Sequence, residues 1–194
     1  LFNRKKVLCE KPLVLKDEHM YNLEKKKGTL FTVMQLRHNP ELQKFKEQID
    51  ENIFYEGNLN INIHRGDFYF KGWKGSESKS GGLLFNIGVH YLDLLLWFFG
   101  EVKEIETISI KEKYFDTIIK FENAHIIIHI SIDAPMDHQI RQLLINGKTI
   151  DLTRHFEDLH TKVYQDIMNN QGITIEQAKE SFGFIKKLKE KDAY

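Results

Sequence analysis

From Gly57 onward the chain alternates. Leu59, Ile61 and Ile63 stand between Asn58, Asn60, Asn62 and His64, a period of two. A stretch built this way makes a strand with one buried and one polar face. A long apolar helix over 81–99 follows, and after it come strand-like stretches at 102–111, 114–122, 124–133, 139–146 and 148–152. Asn146-Gly147 between the last two is a strong signal for a tight hairpin turn. Adjacent strands without helices between them predict a mostly antiparallel open sheet with its helices on one face, an α+β arrangement.

The front of the chain has a different grammar. Residues 5–9 predict a buried strand, 17–27 a helix with acids first and lysines last, closed by Gly28, and 30–36 a second apolar strand. This βαβ unit is expected to be the remnant of a Rossmann-type, doubly wound sheet. Asn39-Pro40 opens a helix to about residue 50, with Leu42, Phe45 and Ile49 facing inward. The expected boundary therefore divides 1–38 from 39–194. Two helices, 155–169 and 174–190, close the chain. Thr174-Ile175-Glu176-Gln177 starts the second with a capping-box pattern.

Composition narrows the classes of partner. Basic and acidic residues number 28 each, so a nucleic-acid or anionic-membrane surface is not expected. The apolar run at 92–99 is broken by Asp93 and far short of the ~20 residues of a spanning helix. No leader pattern is visible. Cys9 is the only cysteine; it is expected to be a small buried side chain in a reducing cytoplasm.

The chemistry concentrates in residues 76–93, S-E-S-K-S-G-G-L-L-F-N-I-G-V-H-Y-L-D. Gly81-Gly82 permits a tight bend. Asn86 and His90, four apart, project from one helical face, with Asp93 three further on. Upstream, the strand Val7-Leu8-Cys9 runs into Glu10-Lys11-Pro12. E-K-P after a buried strand, with G-G-x-x-x-N-x-G-x-H-x-x-D downstream, resembles the glucose-fructose oxidoreductase and inositol dehydrogenase family of NAD(P)-dependent sugar oxidoreductases. G-D-F-Y-F-K-G-W-K-G at 66–75 is similar to one branch, the UDP-N-acetylglucosaminuronate 3-dehydrogenases of bacterial surface-polysaccharide (lipopolysaccharide, O-antigen) synthesis. The resemblance runs over nearly the whole chain.

It implies that 1–38 belongs to a dinucleotide-binding domain and 39–194 to a substrate-binding and oligomerisation domain. Lys11, at the carboxyl end of a strand, is the expected acceptor of the sugar hydroxyl proton once its pKa is lowered. Glu10, Lys11 and Pro12 would border the cofactor, and Lys11-Pro12 is a bond that can be cis. His90 is the second candidate for proton transfer. The commoner family pattern carries Asp where Asn86 stands; an amide cannot act as a base, so Asn86 would only orient. Asp93 either holds the His90 ring, and so borders the substrate, or makes a packing contact. Arg37, Lys71, Trp73 and Lys74 are expected to anchor anionic and ring groups of the substrate, although K-G-W-K-G also fits an exposed loop. His125 and His129, four apart on a strand, lack the further ligands a metal site needs.

The family's G-x-G-x-x-G phosphate turn is absent from these 194 residues. The expectation is a piece of an NAD (or NADP) enzyme, inactive alone and binding little or no cofactor by itself. Its substrate would be a UDP-sugar, with another sugar or a cyclitol as the runner-up. A second copy is expected on the open sheet. The rival is a decayed, non-catalytic homologue kept as a sugar-binding or oligomerising module.

Overall fold

A computed structural model describes residues 5–26, 29–154 and 159–192. Strands β1 (Lys6–Cys9) and β2 (Thr29–Thr32) pair in parallel, Lys6 opposite Thr29 through Cys9 opposite Thr32, with α1 (Asp17–Glu24) between them. This is the expected βαβ unit. Gly28, expected to close the helix, lies outside the described residues. β2 is shorter than the apolar run that suggested it. After Thr32 the chain turns, its amide donating to the Ile173 carbonyl at 2.9 Å, and a 3-10 turn forms over Gln35–His38. Leu30, Phe31, Val33, Met34 and Leu36 are all buried, so the run encoded burial rather than continued pairing.

The turn delivers Asn39 as the cap of α2 (Pro40–Glu47). Its Oδ1 accepts the Glu41 amide at 2.9 Å and the Leu42 amide at 3.4 Å. β3 (Tyr55–Asn62) follows, then α3 (Asp67–Lys71), α4 (Glu77–Ser80) and α5 (Val89–Phe99). The run then gives β4 (Val102–Ile110), β5 (Tyr114–Phe121), β6 (Ala124–Ser131), β7 (Ile140–Ile145) and β8 (Lys148–Asp151), and finally α6 (Leu159–Met168) and α7 (Ile175–Asp192). Residues 155–158, where the sixth helix was expected to start, lie outside the described residues.

The large sheet has the order β4-β5-β6-β3-β7-β8 and is antiparallel except where β3 runs parallel to β6. Leu59 sits opposite Ile128 on one side and Leu143 on the other, and all three are buried beneath the helices. One residue on, Asn60 stands level with His129 and Gln142, on the opposite face. Alternation thus sets one wet and one dry face, as the pattern required. α5 supplies Leu92, Leu94 and Leu95 to the core, all fully buried.

The expected helix over 81–99 is present from Gly82: α4 ends at Ser80, Gly81 and Gly82 both take positive φ (+78° and +73°), and the new helix passes through a π turn over Leu84–Gly88 directly into α5. The apolar run is longer than the sequence suggested. Glu77–Phe99, 23 residues, has the length and composition to cross a membrane, yet 78% of its apolar window is buried inside the protein. It is placed as a core segment.

Candidate active site

Segments from along the whole chain converge on one cleft of about 550 Å³. Lys11 enters it after β1, Gln35 from the 3-10 turn, Arg65 from beyond β3, Tyr69 from α3, Lys74 from the turn before α4, Asn86 and His90 from the π turn and α5, and Arg141 from β7. Among the described residues, the lining includes four cations, Lys11, Arg65, Lys74 and Arg141, and no carboxylate.

Lys11 lies on a cis peptide bond to Pro12, and its ammonium donates to the backbone carbonyl of Asn86. Burial pushes its pKa down to about 8; Glu10 works in the other direction, and the neighbouring Lys74 and Arg65 lower it further. A lysine so placed exchanges its proton near neutral pH. His90 is held neutral: burial drives its pKa well below 6.5, helped by Lys11 and His160. Its Nδ1 is buried without a hydrogen-bond partner, while the residue reaches the cleft. The weaker base of the two is therefore the histidine. Asn86 is fixed by two hydrogen bonds from Nδ2, to the Tyr69 hydroxyl and to the Lys74 carbonyl, both 3.0 Å.

The glycine pair explains how Asn86 arrives there. A methyl on Gly82 would lie 1.7 Å from Glu77 Oε2, and one on Gly81 2.7 Å from Leu15 and Phe85. Ser80 Oγ donates to the Lys74 carbonyl at 2.7 Å and accepts the Gly82 amide at 3.1 Å. The bend sets the start of the helix, and Asn86 and His90, four apart on it, both reach the cleft.

The structure places other expected residues elsewhere. Asp93 does not touch His90; it is buried against Arg37 and Ser181, so neither Asp93 nor Arg37 is offered to a ligand. An internal counter-ion absorbed the charge that the sequence left open. Lys71 pairs with Asp67 at 3.4 Å on the surface, Trp73 is 58% exposed, and neither lines the cleft; Lys74 does. Tyr69 and Phe70 belong to α3. Glu10 is exposed and acts on Lys11 only by its charge, and Pro12 packs toward Met34, Phe85 and Phe182. His129 bonds Asp116 at 2.6 Å and Asn62 at 3.1 Å across the open face.

Arg65, Arg141 and Tyr91 went unnoticed in the sequence, although a signal existed. Arg65 continues the inward parity of Ile61 and Ile63, and Arg141 that of Leu143 and Ile145. Arg141 is paired directly with Ile61. An arginine on the core side of a strand end needs an anion or a cleft. Here burial raises the Tyr91 hydroxyl pKa, and Arg141 beside it partly offsets the shift.

Residues 46–130 match the family described as "Oxidoreductase family, C-terminal alpha/beta domain". That stretch of the chain is similar to this C-terminal domain. Among solved structures, the domain resembles the WlbA (WbpB) dehydrogenase of Thermus thermophilus, crystallised with NAD and alpha-ketoglutarate: 31% identity, TM-score 0.84, over 91% of this chain and 62% of that one. A second structure of that dehydrogenase, with NAD and UDP-GlcNAcA, gives a TM-score of 0.83. The WlbA dehydrogenase of Bordetella pertussis shares the fold at 20% identity, TM-score 0.81, over 97% of this chain and 70% of that one. The putative oxidoreductase YteT of Bacillus subtilis is 30% identical over 107 residues, half of this chain and 25% of that protein. The chain therefore spans 62% of the Thermus chain, and its match to the Bacillus protein covers a quarter of that one.

The residues present fit only the reacting end of a nicotinamide dinucleotide. Lys11, Asn86 and the unpartnered Nδ1 of His90 form a polar floor that could border it. The phosphates need a glycine-rich turn opening a helix, and the described residues supply none.

Proposed function

We propose that this chain is the substrate side of an NAD-dependent dehydrogenase that oxidises C3 of UDP-N-acetylglucosaminuronate. The observation that carries the reading is the gathering of four cations, Lys11, Arg65, Lys74 and Arg141, with no carboxylate among the described lining residues, a lining suited to a multiply anionic sugar and not to a neutral cyclitol. NAD, when bound, would supply the hydride acceptor; the rest is done by the chain's own side chains. Lys11, with its pKa near 8, takes the hydroxyl proton. Asn86 and the neutral His90 orient the ring by hydrogen bonds, and Lys74, Arg65 and Arg141 hold its charge. The 31% identity to a dehydrogenase crystallised with NAD and UDP-GlcNAcA supports this substrate over other sugars. The place we assign the enzyme is the cytoplasmic making of surface-polysaccharide precursors.

Isothermal titration of the chain with UDP-N-acetylglucosaminuronate, then with myo-inositol, tests the reading. Binding of the nucleotide sugar alone is expected. Equal or tighter binding of the cyclitol would overturn it.

The open face of the sheet exposes Ile127, Ile140 and Leu144 amid asparagines, and we assign it to a second copy of the chain. Sedimentation should show a dimer or larger that Ile127→Lys dissociates; a monomer at all concentrations rejects this.

A further inference from the structure

Ser80 is 2% exposed and lies behind the cleft rather than in its lining. Its hydroxyl has one proton and two carbonyls within reach, Lys74 at 2.7 Å and Ser76 at 3.0 Å. The Ser76 carbonyl already accepts the Ser80 amide at 2.9 Å, so the proton belongs to Lys74. In return Oγ accepts the Gly82 amide at 3.1 Å. The other lone pair of the Lys74 carbonyl takes Nδ2 of Asn86 at 3.0 Å. One backbone oxygen therefore ties residue 74, whose side chain enters the cleft, to the bend and to Asn86.

That oxygen also decides which way the Asn86 amide faces. A carbonyl can only accept, so the amide nitrogen must point to it, and the second amide proton goes to the Tyr69 hydroxyl at 3.0 Å. Both donors are taken inside the protein. What Asn86 has left for a ligand is its acceptor, Oδ1. A carboxylate at this position would set oxygen against oxygen, so the frame takes an amide and not an acid.

We propose that Ser80 is a positioning residue of the site: through the Lys74 carbonyl it fixes the root of the Lys74 side chain and turns Asn86 to meet a sugar hydroxyl as an acceptor. The proposal rests on the nucleotide-sugar reading above for the identity of the ligand alone. Its effect reaches Lys11 even with no ligand bound. Burial is the main cause of the low Lys11 pKa, and Lys74 lowers it further against the pull of Glu10, so a displaced Lys74 is felt there.

Carbon-13 NMR of dimethylated lysines, without ligand, is the first test. Ser80→Ala should move the Lys11 titration upward, by no more than Lys74→Met moves it. Added to Lys74→Met it should move Lys11 no further, because the charge through which Ser80 acts is gone. A merely structural role would shift Lys11 equally in both backgrounds. Ser80→Cys, close in shape but a weak donor, should shift Lys11 in the same direction and stands in if Ser80→Ala fails to fold, which circular dichroism checks. Titration calorimetry with UDP-N-acetylglucosaminuronate is the second test, and Ser80→Ala should weaken binding about three- to tenfold. Lys11 titrating as in the wild type in both Ser80 variants overturns the proposal, as does an equal shift in both backgrounds or unchanged binding. A wild-type chain that does not bind the nucleotide sugar sinks that reading alone, since the Lys11 titration still decides the role of Ser80.

Discussion

Asp93 grips Arg37 with both carboxylate oxygens, Oδ2 to Nε at 2.8 Å and Oδ1 to Nη2 at 2.7 Å, and Oδ1 also accepts the Ser181 hydroxyl at 2.6 Å. The triad ties the 3-10 turn after β2 to α5 and α7, all within the interior. Removing one partner strands a buried charge, which costs about 3–5 kcal/mol. Asp93→Asn should therefore lower urea-unfolding stability by that order. Arg37→Met with Asp93→Leu should recover much of the loss. A single variant as stable as the wild type would show that the pair carries no structural weight.

Lys11 is expected to lose its proton near pH 8, ahead of the other lysines. Carbon-13 NMR of dimethylated lysines should show one resonance titrating there, absent in Lys11→Met. Lys74→Met should move it upward, since that ammonium is one of the charges lowering it. Between pH 8 and the unfolded value of 10.5 the unfolded chain holds the extra proton, so stability should rise with pH across that window. No lysine resonance titrating below ~9.5 would refute the placement.

His90 has the opposite practical consequence at acid pH. Its folded pKa lies well below 6.5, so below pH 6.5 the unfolded chain binds a proton that the native one refuses. Stability should fall as pH drops through that range. His90→Gln should flatten this part of the curve, measured by urea unfolding from pH 7 to 4.5. The same acid slope in variant and wild type would mean that the ring is charged in the native state.

Gly82→Ala should cost about 1–3 kcal/mol, from both its φ of +73° and the collision with Glu77. Glu77→Ala in the same chain relieves only the collision, leaving about 1–2 kcal/mol for the left-handed backbone. Thermal unfolding of the single and double variants separates the two contributions. A double variant no better than Gly82→Ala would assign the whole effect to the backbone.

The sheet was legible because alternation is a strong local signal. The stretch 114–122 became β5 at Tyr114–Phe121, and Asn146-Gly147 turned β7 into β8, both residues with positive φ. Alternation reports which face a residue takes, not which strand stands beside it, so the parallel β3–β6 pair was hidden. At the cleft, Lys11, Lys74, Asn86 and His90 come together from distant positions. Arg37 and Lys71 looked the same in the sequence, since a charge does not disclose a partner. One meets Asp93 inside and the other Asp67 outside. Arg65 and Arg141 were missed because their charge was weighed without the inward parity of their strands.

α7 reaches back across the molecule: Lys179 to Glu24, Lys186 to Asp17 and Lys189 to Glu77, while Ile173 just before it accepts the Thr32 amide. These contacts join residues 155, 169 and 112 positions apart. Each closes a long loop, so the cover over β2 and the Gly81 bend depends on non-local pairing, the slow kind of contact to form. The cleft is thus held shut from a distance, by a helix that lines none of it.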